Sequence, residues 1–276
     1  MGKIVQFTED QINDMYDLYY NQHKSFKTLG EKYHHTQRVF TRVFKEQGWI
    51  PKAKDCKYSK YTLDENYFDN IDTPNKAYIL GILYADGCNR PSEKKITMEL
   101  QIDDYDLLSQ INEEFHNTRP LQIYSSSNQK NRTKDTCRIV LFSEHLSSRA
   151  IELNLVPNKS LTLDFPYWMD KDLIPYMLRG YIDGDGWIQQ YRIGFMSTDK
   201  FCNGVKQYMN SIGLDCHIRD MKRHYNEHTK TCDISSRKNI IPLTEMMFSD
   251  GDVFMKRKVD KYIKYGFLKQ DSSLMV

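Results

Sequence analysis

Tyr78-Ile-Leu-Gly-Ile-Leu-Tyr-Ala-Asp-Gly87 and Met177-Leu-Arg-Gly-Tyr-Ile-Asp-Gly-Asp-Gly186 are two versions of one phrase. Each is an apolar helical run with a glycine, a small residue four positions later, and an Asp-Gly ending. Residues four apart share a helix face, so Gly81 with Ala85, and Gly180 with Gly184, offer bare stripes where two backbones can approach closely. The natural partner of each stripe is the other. Such packing brings Asp86 and Asp185 together at two helix C-termini, where the helix dipole already disfavours negative charge. A divalent cation resolves that conflict most simply.

The duplication extends beyond these helices. Lys95–Ile102 alternates apolar and polar residues as a half-buried strand does, and Gln190–Met196 repeats the pattern after the second motif. Helical periodicity follows at Asp103–Phe115 and Thr198–Ile212. Strand candidates come next, Leu121–Ser127 with Thr136–Phe142, and Asp215–Met221 with Thr231–Ser235, and each half closes on a helix near Glu144–Leu153 or Lys238–Phe248. Asp86 and Asp185 are 99 positions apart, as are Lys159 and Lys258, whereas Cys137 and Cys232 are 95 apart. The first half therefore carries a longer loop after its motif, and the turn around Ser249–Asp252 restores the register.

These segments resemble the two signature helices of the LAGLIDADG homing endonucleases in their single-chain, two-motif form. The likeness keeps the glycine, the small residue and the Asp-Gly ending; it departs at Leu80 and Arg179, where the family motif has alanine, and at Tyr84, where it has an acid. The resemblance implies an α+β fold: a pseudo-twofold pair of αββαββα-type repeats, residues 73–168 and 169–276, whose two four-stranded antiparallel sheets form a β saddle. It further implies metal ligation by Asp86 and Asp185 with Gly87 and Gly186, using Mg2+ or Mn2+. Lys159 and Lys258 correspond to the basic residue that the family places near the scissile phosphates, with a solvated surface lysine as the alternative reading. Gln101 falls where the family has a water-positioning glutamine; its partner by alignment is Met196, and a thioether cannot hold water as an amide does.

Ahead of the repeats, residues 24–60 carry ten Lys or Arg against three acids, although the whole chain is only +2. Ile12, Met15, Tyr16 and Tyr19 mark one amphipathic helix after a Thr8 cap. Phe26, Leu29 and Tyr33 mark a second after Ser25, and Val39, Val43 and Phe44 a third after Thr36. Residues 1–55 thus resemble a small all-α helix-turn-helix-like domain presenting Gln37, Arg38, Thr41, Arg42 and Lys45 to a DNA groove. Residues 56–72 read as a basic, then acidic, linker.

Strand parity nominates further base or phosphate contacts: Gln122, Tyr124, Ser126, Arg138, Arg192, His217, Arg219 and Arg237, with Arg223 in a basic loop. Six scattered cysteines without a CxxC argue against a disulfide framework, and no apolar run reaches membrane length. The expectation is an intracellular monomer, cytoplasmic or nucleoid-associated, that cuts both strands of a long, pseudo-palindromic double-stranded DNA target. An RNA-splicing maturase or a non-cutting transcription regulator of the same fold are the alternatives.

Overall fold

The computed structural model describes residues 5–22, 24–49, 61–128, 133–220 and 229–269. The chain divides into two compact units, Met1–Lys60 and Tyr61–Val276.

In the first unit, Thr8 closes a capping box with Gln11 ahead of helix α1 (Glu9–Tyr16), which runs on into a wider turn over Asp17–Asn21. Ser25 caps α2 (Phe26–Tyr33), and α3 (Gln37–Glu46) follows a three-residue turn in which His34 is left-handed, with φ of 56°. The glycine that such a turn would usually contain stands one turn earlier, at Gly30, where a Cβ would lie 2.8 Å from the His35 carbonyl oxygen. Met15, Leu18, Tyr19, Leu29, Phe40, Val43 and Phe44 form the core. In α3 Phe40 is fully buried, whereas Val39, expected on the apolar face, is half-buried.

The second unit holds the two repeats. The first runs α4 (Pro74–Asp86), β1 (Gly87–Arg90), β2 (Lys95–Gln101), α5 (Tyr105–Glu114), β3 (Gln122–Tyr124), β4 (Thr136–Phe142) and α6 (Glu144–Glu152). The second runs α7 (Ile174–Asp185), β5 (Gly186–Gln189), β6 (Arg192–Thr198), α8 (Asp199–Ser211), β7 (His217–Asp220), β8 (Thr229–Ser235) and α9 (Arg237–Met247), with α10 (Lys256–Lys264) added. The sheets have matching antiparallel orders, β1-β2-β4-β3 and β5-β6-β8-β7. This is the α+β pair of αββαββα repeats expected. The four-residue strands β1 and β5, too short to show alternation, and α10 were not visible as elements in the sequence.

Alternation sets the faces. Ile96, Met98 and Leu100 of β2, Cys137, Ile139 and Leu141 of β4, Ile193 and Phe195 of β6, and Cys232 and Ile234 of β8 point to the helices and join one continuous core. The intervening residues form each sheet's outer face. Residues 61–72, expected as part of a linker, are instead packed: Tyr67 and Phe68 are buried against Phe115, and the Asp64 amide donates to the Phe115 carbonyl at 2.8 Å.

Candidate active site

Helices α4 and α7 meet through their glycines. A Cβ on Gly81 would lie 2.8 Å from the carbonyl carbon of Met177, and one on Gly180 2.8 Å from the Ile82 nitrogen and 3.0 Å from the carbonyl carbon of Tyr78. Since 78 and 177 are themselves equivalent positions, the seam is self-complementary, as a twofold contact must be. Near the helix ends, a Cβ on Gly184 would stand 2.8 Å from Asp86 Oδ2. The second motif's small residue thus makes room for the first motif's acid.

The two carboxylates are electrostatically strained by each other and by their surroundings. Burial, then the Asp185 charge, pushes the Asp86 carboxyl up to about 6. Burial raises Asp185 also, although it keeps more solvent contact. Lys159 and Lys258 oppose both shifts. Each lysine caps its own repeat's motif: Lys159 Nζ donates to the Gly87 carbonyl at 2.6 Å, and Lys258 Nζ to the Gly186 carbonyl at 2.6 Å and the Ile182 carbonyl at 3.0 Å. A cation at a helix C-terminus complements the dipole. Burial lowers both ammonium groups, Lys258 to about 8. α10 exists to deliver Lys258, as the turn at Lys159–Leu161 delivers Lys159.

This occupancy weighs against Gly87 and Gly186 in the expected ligand set. The Gly87 and Gly186 carbonyls face ammonium groups and are poorly placed to accept a metal cation as well. Two hard carboxylates that repel each other still fit Mg2+ or Mn2+, which commonly rely on one or two carboxylates and take their remaining ligands from substrate phosphate and water. Among the described residues no group of three or more His, Cys, Asp or Glu could hold a metal by itself.

The strand registers correct Gln101. β1 and β2 pair Gly87 with Met98, so the next step places Glu99, not Gln101, opposite Asp86. Glu99 and Asp86 share a cleft of about 260 Å³ with Thr97, Gln122 and Arg138. Gln101 lies two residues further on, exposed, and accepts a 3.3 Å bond from Lys134. In the second repeat Phe195 opposes both Gly186 and Cys232, whereas in the first Met98 opposes Gly87 and Leu100 opposes Cys137. A two-residue slip separates the repeats. It preserves which face each side chain uses, so alternation could not reveal it; counting back from the Asp-Gly ending would have.

Six of the nominated contacts do lie on the outer faces. Arg138 bonds Glu99 through Nε at 2.9 Å and the Tyr124 hydroxyl at 3.2 Å, and Tyr124 donates to Gln122 at 2.7 Å. On the other sheet Arg192, His217 and Arg219 surround Asp233 on neighbouring strands. Arg237 does not join them: it opens α9 and clasps the carbonyls of Tyr265 and Gly266. Ser126 sits past the end of β3 in a turn, its amide bound to Asp135 at 2.8 Å. In the N-terminal unit Arg38 and Thr41 are exposed, while Arg42 is half-buried and bonds the Val5 carbonyl at 2.7 Å. Arg223 and the side chains of Gln37 and Lys45 lie outside the described residues. A larger hollow of about 1590 Å³ lies around Pro74 and Gly251, away from the carboxylate pair; Asp64, Glu113, Glu114 and Glu245 among its lining residues disfavour a polyanion there.

Residues 172–247 match the family model of the LAGLIDADG-like domain. The match falls within the second repeat and has α7, and with it Asp185, at its start. No curated protein matches the sequence. Among solved structures the chain is similar to I-DmoI in complex with DNA and Mn, at 15% identity over 63% of this chain and 97% of that one, with a TM-score of 0.44. It is similar to the I-SmaMI LAGLIDADG homing endonuclease bound to cleaved DNA, at 12% identity over 71% and 88%, TM-score 0.43. It is also similar to the N-terminal LAGLIDADG domain of DUF199/WhiA, at 14% identity over 71% and 92%, TM-score 0.42.

Proposed function

We propose that this chain is a metal-dependent DNA endonuclease that hydrolyses one phosphodiester in each strand of a long, pseudo-palindromic duplex. The observation that carries the reading is the carboxylate pair: two equivalent helices bring Asp86 and Asp185 to one place, and each is attended by an equivalent lysine, Lys258 buried and Lys159 half-buried. A structural helix pair has no need to gather like charges, whereas phosphodiester hydrolysis does. Asp86 and Asp185 would hold Mg2+ or Mn2+, which supplies Lewis acidity at the scissile phosphate. Lys159 and Lys258 keep positive charge beside the carboxylates and offset the charge that develops on phosphorus. The outer sheet faces, with Arg138, Arg192 and Arg219, seat the duplex by phosphate and base-edge contacts. Both half-sites being on one chain, the active species is a monomer. No helix among the described residues is long and apolar enough to cross a membrane.

Cleavage of a duplex selected from a randomised library, in Mg2+, tests this reading. Asp86→Asn and Asp185→Asn should each abolish double-strand cutting while leaving selective binding intact, or tighter for the loss of a negative charge beside phosphate. Wild-type rates in either variant would overturn it. Deleting residues 1–55 should weaken binding and flatten its salt dependence, because Arg38 and its neighbours add phosphate contacts beyond the sheets.

A further inference from the structure

Asp233 has no place in this chemistry, yet its setting is unusual. It stands on β8 at the centre of the second sheet's outer face, opposite Gly194 on β6 and His217 on β7. Although it belongs to a binding face it is 3% exposed, and its Oδ1 makes no hydrogen bond among the described residues. Its ion pairs are long: Arg192 Nη1 at 3.7 Å and Arg219 Nη1 at 3.9 Å. The Trp187 ring covers Gly194, where a Cβ would lie 2.9 Å from Cζ2, and its indole N–H is buried with no partner among the described residues.

A buried carboxylate with incomplete hydrogen bonding is costly. What it obtains here is geometry. Two guanidinium groups on one sheet face repel each other and carry many rotamers; a fixed negative charge between and beneath them gathers both on the outer side. Both side chains remain well exposed, and Arg192 also donates from Nε to Gln189 Oε1 at 2.8 Å, which leaves its two terminal nitrogens turned to the outer side. The first sheet also sets an acid beside a strand arginine, Glu99 opposite Arg138 on β2 and β4. Acid lies beside strand arginine in both sheets, but in the second the acid is beneath and two arginines flank it.

We propose that Asp233 is a positioning residue that holds Arg192 and Arg219 as one fork and so sets the base preference of the second half of the target. The inference rests on the DNA-reading function above. Selection from a randomised duplex library, scored for binding in EDTA so that cutting plays no part, separates the two. Asp233→Asn should lose about tenfold in discrimination at the base pairs that Arg192→Gln and Arg219→Gln also affect. The other half-site should keep its preferences, and affinity for unselected duplex should rise as the arginines are freed for phosphates. Asp233→Glu, which keeps the charge, should retain discrimination within about threefold. Unchanged preferences in Asp233→Asn, equal losses in both halves, or an Asp233→Glu as impaired as Asp233→Asn would overturn the inference. Should Asp233→Asn not fold, Asp233→Ser is scored by the same outcomes. If the wild type enriches no sequence, the DNA-reading function falls, and this inference with it.

Discussion

Two of the positions at which the signature helices differ set the interiors of the repeats apart. In the first motif they hold Leu80 and Tyr84; in the second they hold Arg179 and Asp183. Leu80 packs in the apolar core, and the Tyr84 hydroxyl caps the Leu153 carbonyl. Arg179, 0% exposed, instead donates to the carbonyls of Met247 at 2.8 Å and Val253 at 2.9 Å and lies over the rings of Tyr78 and Phe248. Asp183 accepts from the Tyr78 hydroxyl at 2.8 Å and the Met255 amide at 3.3 Å. The polar pair thus anchors the 247–255 turn that leads into α10 and Lys258. In the first repeat a short turn carries Lys159, and no such anchor is needed. Equivalent chemistry at the ends of the helices is supported by different interiors.

The comparison is broken most forcefully at the part the repeats share. Gly81→Ala and Gly180→Ala each drive a methyl into the opposite backbone, which cannot give way as a flexible side chain can. Each should destabilise by about 3 kcal/mol or more, beyond ordinary overpacking, and by similar amounts. Denaturant melts of the two variants measure this. One variant losing less than about 1 kcal/mol would show that the seam is not symmetric.

The interiors differ next. Tyr78→Phe keeps the ring beneath Arg179 but removes one of the two hydrogen bonds to buried Asp183, at a cost of about 1–3 kcal/mol. Met177, at the equivalent place, has no polar partner to lose, so Met177→Leu should cost less than about 1.5 kcal/mol. Equal losses in the two melts would mean that the Asp183 anchor is not maintained from the first helix.

How much of this was legible follows from what each signal encodes. Motif spacing revealed the paired helices, their seam and the lysine equivalence, because close helix contact demands small residues at fixed intervals. Alternation placed β2, β4, β6 and β8 and assigned the outward faces correctly. It could not reveal the slip that puts Glu99 beside Asp86, since a shift of two residues leaves every face unchanged. Nor could it separate a strand reader from a helix-end clasp: Arg237 follows β8 by two residues and matches its parity, but Ser236, with φ of 82°, turns the chain into α9. Arg179 looked like a departure from a motif. Its role depends on carbonyls some 70 residues away, which no local pattern contains.

The slip makes the surroundings of the two carboxylates unequal, and with them the two cuts expected of the proposed endonuclease. Glu99 lines the cleft beside Asp86, fixed by Thr136 at 2.8 Å and by Arg138, whereas Met196 takes the corresponding place beside Asp185 and is 43% exposed. A carboxylate can order water near a phosphate and a thioether cannot. The strand served by the first half should therefore be cut faster, with a nicked duplex accumulating, and Glu99→Met should slow that strand by about tenfold toward the rate of the other. Strand-resolved single-turnover time courses report both rates. Simultaneous cuts in the wild type would remove the asymmetry.

The smallest effect sharpens the same point. Gln101 has the amide that a water-positioning role would favour, but it stands two residues past Glu99 at the end of β2, bonded to Lys134, and is not among the residues lining the Asp86 cleft. Successive residues on one strand face are about 7 Å apart. That is too far to share a water with Glu99's neighbourhood at hydrogen-bond distance. Gln101→Met should accordingly leave both strand rates within about twofold of wild type, a change far below what a displaced catalytic water produces. If it slows the first strand as much as Glu99→Met does, then β2 pairs with β1 in the register expected from the Cys137 alignment, and Gln101 rather than Glu99 faces Asp86 in the DNA complex.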